Sequence, residues 1–299
     1  MPSIQSRAVE VLVHLLRWKR ASNRMRERVE SGRQTYTEPT RRQCRKYLVS
    51  KRDFRGHLVW TIAPKQNPGR KHIIYLHGGG FVNSFASQQW NFMCRLIDAL
   101  DCTVTAPNYP HAPEYYVHDV FDFLLPLYDE VANAGNENLV IMGDSSGGGM
   151  ALALAQLLRE KGRAQPAHVV LLSPWLDASL SHPEIPVFDK IDPFLDMEGL
   201  KYAGGVYARH VDPTHYLVSP VYGSLKGLAP ISLFIGTRDI LFPDCRKLRD
   251  CAEAEGVTLN YREYDAMLHD WMLISLPESK QALREIVEII GTKDVCQCL

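Results

Sequence analysis

From residue 72 onward, short apolar runs alternate with longer amphipathic stretches. His72 to Leu76, Thr103 to Ala106, Leu139 to Met142, Val169 to Leu172, Ile231 to Ile235 and Val257 to Tyr264 are too short for buried helices, and most lack polar alternation. Such runs predict strands buried on both faces. Between them, Ser87 to Leu100, Val117 to Val131, Ser146 to Glu160, the region from Pro243 to Glu255, and Glu278 to Ile290 read as helices. Strand and helix in alternation imply an α/β fold with a mostly parallel central sheet and helices on both faces. Upstream, Tyr47-Leu48-Val49 and Leu58 to Ile62 flank a polar turn around Asp53 and Gly56, the pattern of a twisted strand pair. Near the N-terminus, Ala8, Val11, Leu12, Leu15, Leu16 and Trp18 share one helical face, which predicts an amphipathic helix lying on the body. Residues 176–228 break the alternation with scattered prolines, Gly204-Gly205 and the aromatics Phe188, Phe194, Tyr202 and Tyr207. An insertion there would cover a site at the strand ends.

The 299 residues are 45% hydrophobic and 23% charged, enough for one large core, read here as one domain plus a lid. Lysine plus arginine equals aspartate plus glutamate at 34 each, so no global field draws the protein to nucleic acid. The balance is uneven along the chain, because residues 1–55 hold 15 basic and 5 acidic side chains. That basic arm reads first as internal charge matching against an acidic body, and secondarily as a surface for anionic lipid. The seven cysteines, Cys44, Cys94, Cys102, Cys245, Cys251, Cys296 and Cys298, are odd in number and scattered. They read as reduced, buried thiols of a cytoplasmic protein, with Cys296 and Cys298 on a frayed tail rather than in a metal site. No run reaches the ~20 apolar residues of a spanning helix. Glu10 and His14 interrupt the one stretch that could imitate a signal peptide.

Candidate chemistry begins at His77-Gly78-Gly79-Gly80-Phe81, directly after a predicted strand. Three glycines leave backbone N–H groups bare to a substrate oxygen, as an oxyanion hole requires. A phosphate loop would need a lysine followed by serine or threonine after its glycines, and Phe81-Val82-Asn83 has neither. The matching nucleophile lies in Gly143-Asp144-Ser145-Ser146-Gly147. G-x-S-x-G alone arises by chance in roughly one chain in ten. Here it follows the strand Leu139 to Met142 and opens a helix, the strand, sharp turn and helix of a nucleophile elbow. Ser145 is preferred over Ser146 because small residues, Gly143 and Gly147, stand two before and two after it. The expected order in this architecture is serine, acid, histidine. Asp239 follows the strand Ile231 to Ile235, and His269 follows the strand that ends at Tyr264. Both would therefore lie in loops at carboxyl ends of strands and converge on Ser145. The alternatives are a helix-start role for Asp239, which Asp244 also fits, and a packed surface role for His269. His77 is expected to brace the glycine loop.

On these motifs, together with Asn108-Tyr109-Pro110-His111-Ala112-Pro113-Glu114, Ser173-Pro174-Trp175-Leu176-Asp177, Ser219-Pro220 and Asp239-Ile240-Leu241-Phe242-Pro243-Asp244, the chain resembles the hormone-sensitive-lipase-like branch of the α/β hydrolases. That branch includes microbial carboxylesterases and arylacetamide deacetylases. The resemblance runs from about residue 70 to the end. It implies N-terminal cap helices in residues 1–45 and a catalytic domain from 46 to 299, with a cap insertion at about 176–228. It also implies cofactor-free and metal-free hydrolysis of short- to medium-chain esters. The triad is expected to be Ser145, Asp239 and His269, and the oxyanion hole to draw on Gly78, Gly79, Gly80 and Ser146. Of the glycines, the second and third, Gly79 and Gly80, are the implied donors. Activity is then expected to rise with pH through a value roughly near 6 to 7.5, as the histidine base loses its proton. Three positions depart from the family pattern. Tyr109-Pro110-His111-Ala112-Pro113-Glu114 lacks the usual arginine, Ser146 replaces an alanine, and Asp270-Trp271 replaces Gly-Phe. Trp271 is placed near the base, where it would narrow the pocket. The same elbow serves a lipase, an amidase or deacetylase, an acyltransferase, or, without catalysis, a ligand receptor. The expected partner is a small-molecule ester, with membrane contact not expected and a homodimer left open.

Overall fold

The computed structural model describes residues 2–15, 26–27, 29–31, 36–66, 69–136 and 138–291. Helices α1 (Ile4–Leu15) and α2 (Arg41–Lys46) precede the antiparallel pair β1 (Leu48–Phe54) and β2 (His57–Ala63). The alternating part follows as β3 (Lys71–Leu76), α3 (Ser87–Leu100), β4 (Thr103–Pro107), α4 (Val117–Asn133), β5 (Asn138–Asp144), α5 (Ser145–Glu160) and β6 (His168–Leu172). Helices α6 (Ile185–Ile191) and α7 (Met197–Ala208) and a 3-10 turn at Pro220–Tyr222 come next. The chain continues with β7 (Ile231–Gly236), α8 (Phe242–Glu255), β8 (Leu259–Tyr264), a 3-10 turn at Trp271–Leu273 and α9 (Pro277–Gly291).

All eight strands form one sheet in the order β1-β2-β4-β3-β5-β6-β7-β8. β2 runs antiparallel to both neighbours, and every pairing from β4 to β8 is parallel. The predicted α/β class and mostly parallel sheet are therefore observed. β5, β6 and β7 are buried almost end to end because helices cover both faces, which explains their unbroken apolar composition. The two apolar clusters lie on opposite sides of this sheet. One joins Ile74, Ile141 and Leu171 to α4, α5 and the α6–α7 region, and the other joins Ile73, Val140 and Val170 to α3 and α9. In a parallel sheet with β3 beside β5, the ends of β3, β5, β7 and β8 open toward a common edge, and all the candidate residues lie there.

α2, at the end of the stretch expected to hold cap helices, starts from a capping box in which Thr40 and Gln43 bond each other's backbone. Two local expectations are corrected. In α1, Ala8, Val11 and Leu12 are exposed, Val11 and Leu12 by more than half, whereas Ser6 is buried. Polar anchors set this rotation. The Ser3 N–H and the Ser3 and Ser6 hydroxyls bond the Glu278 carboxylate at 2.6, 3.0 and 2.7 Å, and Glu10 pairs with Arg238. The side chains of Leu15, Leu16 and Trp18 lie outside the described residues. Among the described cysteines, Cys94, Cys102 and Cys245 are buried as expected, but Cys44 is exposed. Cys296 and Cys298 lie outside the described residues. No described helix is long and apolar enough to cross a membrane.

Candidate active site

Ser145 sits between β5 and α5 with φ of +51°, a left-handed conformation that is strained for a serine. The turn is tight enough that only glycine fits around it. A methyl group on Gly143 would collide with the Gly147 carbonyl, and one on Gly147 with the Leu76 carbonyl of β3. This close approach of α5 to β3 presents Ser145 at the sheet edge. The Ser145 carbonyl accepts the Trp175 N–H at 2.9 Å, tying the elbow to the segment after β6.

Three loops converge on Ser145. His269 Nε2 lies 3.0 Å from Ser145 Oγ, and Nδ1 lies 2.8 Å from Asp239 Oδ2. Asp239 follows β7 and His269 follows β8, as the chain order implied. Both are buried, Asp239 completely and His269 to within 4%. The Leu241 N–H bonds the other Asp239 oxygen at 2.9 Å, which fixes the carboxylate. Burial disfavours the imidazolium, but the carboxylates of Asp239 and Asp270 outweigh it and raise the His269 pKa well above its ordinary value.

The glycine loop leans on the same elbow. A methyl group on Gly78 would stand 2.8 Å from Ser145 Cβ, so the loop and the nucleophile are in contact. The Gly78 carbonyl accepts His77 Nδ1–H at 2.8 Å and Gln89 Nε2–H at 3.2 Å. Gly79 and Gly80 follow with φ of +146° and +64°, which a side chain would resist. The Gly79 carbonyl accepts the Asn83 N–H at 3.0 Å and its side-chain amide at 3.1 Å. Ser146 accepts the Phe81 N–H through its hydroxyl at 3.4 Å and so links helix and loop. His77 braces the loop as anticipated, stacked on Tyr109 with ring centroids 4.3 Å apart; burial lowers its pKa to about 4 and keeps it neutral.

Several side chains that the sequence did not single out also converge here. Asp144 accepts the Tyr75 hydroxyl at 2.5 Å and Gln89 Nε2–H at 2.8 Å; burial, then the charge of Asp270, pushes its pKa up to about 7. Asp192, at the end of α6, accepts the Ile240 N–H beside Asp239 at 2.8 Å, and its pKa is raised to about 7 by burial and then by Asp239. Phe81 stacks on Tyr207 of α7 at 3.9 Å, joining the glycine loop to the 176–228 segment. Trp271, two residues after the base, packs 4.3 Å from Tyr264 within the apolar cluster beside α9. No group of three or more histidine, cysteine or acidic side chains among the described residues could hold a metal ion.

This sheet order, with a nucleophile-elbow turn at the carboxyl end of β5, defines an α/β hydrolase. The family model for the α/β-hydrolase fold matches residues 73–273. An acetyl-hydrolase of Streptomyces hygroscopicus is 30% identical over 234 residues, 76% of this chain and 78% of that protein. An esterase of Acinetobacter venetianus is 29% identical over 228 residues, 75% of each chain. The crystal structure of an esterase from the bacterial hormone-sensitive lipase family superposes with a TM-score of 0.77 at 26% identity, covering 92% of this chain and 97% of that one. The chain belongs to the α/β-hydrolase family, in its hormone-sensitive-lipase-like branch, and is a carboxylic ester hydrolase.

Proposed function

We propose that the chain hydrolyses short- to medium-chain carboxylic esters through an acyl-enzyme on Ser145. A serine hydroxyl is a weak nucleophile unless a neighbouring base takes its proton. His269 Nε2 is at hydrogen-bond distance to do so, and Asp239 holds Nδ1–H so that Nε2 keeps its lone pair. As Ser145 Oγ bonds the carbonyl carbon, the carbonyl π electrons move onto oxygen, and the proton moves to Nε2. The N–H groups of Gly79, Gly80 and Ser146 stabilise that oxyanion, while Gly78, which has no side chain to stand against Ser145, lets the loop approach the serine. Collapse returns the proton from Nε2 to the leaving alkoxide. Water repeats the cycle and releases the acid.

The residues 1–45 and 176–228 are assigned as a cap over this site, an assignment supported by the Phe81–Tyr207 stack and the Arg238–Glu10 pair. The free thiols of Cys94, Cys102 and Cys245 suit a reducing, cytoplasmic setting.

The observation that carries the mechanism is the relay from Asp239 through His269 to Ser145. Its test is a ladder of p-nitrophenyl esters from acetate to decanoate, with a matching anilide. The reading expects a maximum at short or medium chains, weak anilide cleavage, and a loss of roughly 10⁴ to 10⁶-fold for Ser145→Ala. Retention of more than a tenth of the activity by that variant would refute it.

A further inference from the structure

Asp270 Oδ2 lies 3.2 Å from His269 Nε2, the same nitrogen that faces Ser145 Oγ at 3.0 Å. The imidazole is thus flanked by a carboxylate on each nitrogen, Asp239 at Nδ1 and Asp270 at Nε2. Asp270 is held in this place. Its backbone has φ of +51°, its N–H bonds Ser173 Oγ at 3.3 Å, and its side chain is 18% exposed. Glycine would occupy that left-handed position without strain, whereas a carboxylate there brings a charge beside the reacting nitrogen.

We propose that Asp270 is a second acidic partner of His269, which stabilises the Nε2–H imidazolium and sets the pH at which the base becomes available to Ser145. The proposal rests on the Ser145–His269–Asp239 reading. Asp270 itself takes no proton from the serine. When Ser145 O–H passes its proton to Nε2, the Asp270 carboxylate 3.2 Å away stabilises the resulting positive charge until that proton goes to the leaving oxygen. The same contact acts in the resting enzyme. At low pH the charge of Asp270 favours the proton already on Nε2, Ser145 has no base, and the activity limb moves to higher pH than an ordinary histidine would give.

Among the described residues, the groups facing this imidazole are mostly acidic. From the β7 side come Asp239 and, behind it, Asp192 of α6 and Cys245 of α8. From the elbow side come Asp270 and Asp144, which interact with one another, with Tyr75 behind them. Arg95 of α3, which donates to the Met272 carbonyl at 2.7 Å, is a cation on that side and acts on Tyr75. The positive charge of His269 is therefore met by carboxylates on both sides, and burial strengthens each contact.

The test is the pH dependence of kcat/KM on p-nitrophenyl butyrate for the wild type, Asp270→Asn, Asp270→Gly and Asp270→Glu. Asparagine tolerates the left-handed backbone, and glycine occupies it freely, so fold and charge are separable. The expected result is an acidic limb that moves down by about one pH unit or more in Asp270→Asn and Asp270→Gly, since an adjacent opposite charge moves a pKa by about 1 to 3. Their alkaline plateau stays within about tenfold of wild type, and Asp270→Glu restores the high limb. A limb unchanged in both neutral variants overturns the proposal while leaving the triad intact. Full turnover by Ser145→Ala in the same assay overturns the triad instead. Nitrogen-15 spectra of the histidines give a reading without turnover: His269 losing its proton at lower pH in Asp270→Asn than in wild type supports the proposal, and the same titration in both contradicts it.

Discussion

Asp192 and Ile240 join the 176–228 segment to the loop that carries Asp239. Asp192 Oδ2 accepts the Ile240 N–H at 2.8 Å, while Oδ1 accepts the Phe194 and Leu195 N–H groups at 2.7 and 3.0 Å. One buried carboxylate thus fixes the residue after Asp239 and the segment leading to Phe194, whose ring lies 6.1 Å from His269. Removing it leaves three backbone donors without their acceptor, at a cost of about 1 to 3 kcal/mol for each that stays buried. Asp192→Ala is expected to lower the thermal midpoint by several degrees and to reduce kcat by about 10 to 100-fold, through a loosened Asp239. Calorimetry and ester hydrolysis on the same preparation check both; an unchanged kcat would separate the segment from the site.

Asp244, in the first turn of α8, is fully buried, and neither carboxylate oxygen has a hydrogen-bond partner. Burial, then the charge of Asp177, raises its pKa to about 7 from an ordinary 3.8. Between these values the folded chain keeps a proton that the unfolded chain has lost, so stability falls as pH rises from about 4 to about 7. Above pH 7 the cost is fully present, at most about 4 kcal/mol for a displacement of this size. Asp144 and Asp192 are displaced in the same direction. Asp244→Asn is therefore expected to raise the midpoint at pH 8 and to change it little at pH 4.5. An equal effect at both pH values would contradict the assignment.

Gly147 is where α5 passes closest to β3. A single methyl group there would overlap the Leu76 carbonyl and lie 2.6 Å from the His77 carbonyl, both backbone atoms that cannot rotate away. Gly147→Ala is expected either to fail to accumulate as folded protein or to fold with the glycine loop displaced and esterase activity lost. Gly205→Ala is the control, since no atom lies within 4 Å of its added carbon and it should remain folded. A fully active Gly147→Ala would show that the elbow is looser than its geometry implies.

The central sheet was legible in sequence because strands buried on both faces carry no competing polar signal. Ile73-Ile74-Tyr75-Leu76 and Leu139 to Met142 are cases in point. The positions of Ser145, Asp239 and His269 after recognisable strands were legible through chain order, and the fold brings the three side chains to hydrogen-bond distance. What escaped prediction depends on tertiary contacts. The rotation of α1 is set by Glu278 and Arg238, more than 220 positions away in the chain, so periodicity alone assigned the wrong face. Asp192 carries no local mark of its contact with Ile240. Asp270 stood in plain sight beside His269, but only the fold reveals that its carboxylate turns to Nε2 rather than to solvent. The contact of Trp271 with Tyr264 is equally invisible in sequence, because it follows from the left-handed turn at Asp270.

The claim on which the rest depends is that Ser145 is the residue acylated by substrate, with His269 as its base. Intact-mass and peptide-mass spectrometry after reaction with a fluorophosphonate probe tests it most directly. The account predicts one adduct per chain, located on Ser145, absent in Ser145→Ala and formed at least 100-fold more slowly in His269→Ala. An adduct on another residue, or none in a preparation that hydrolyses p-nitrophenyl butyrate, would contradict it.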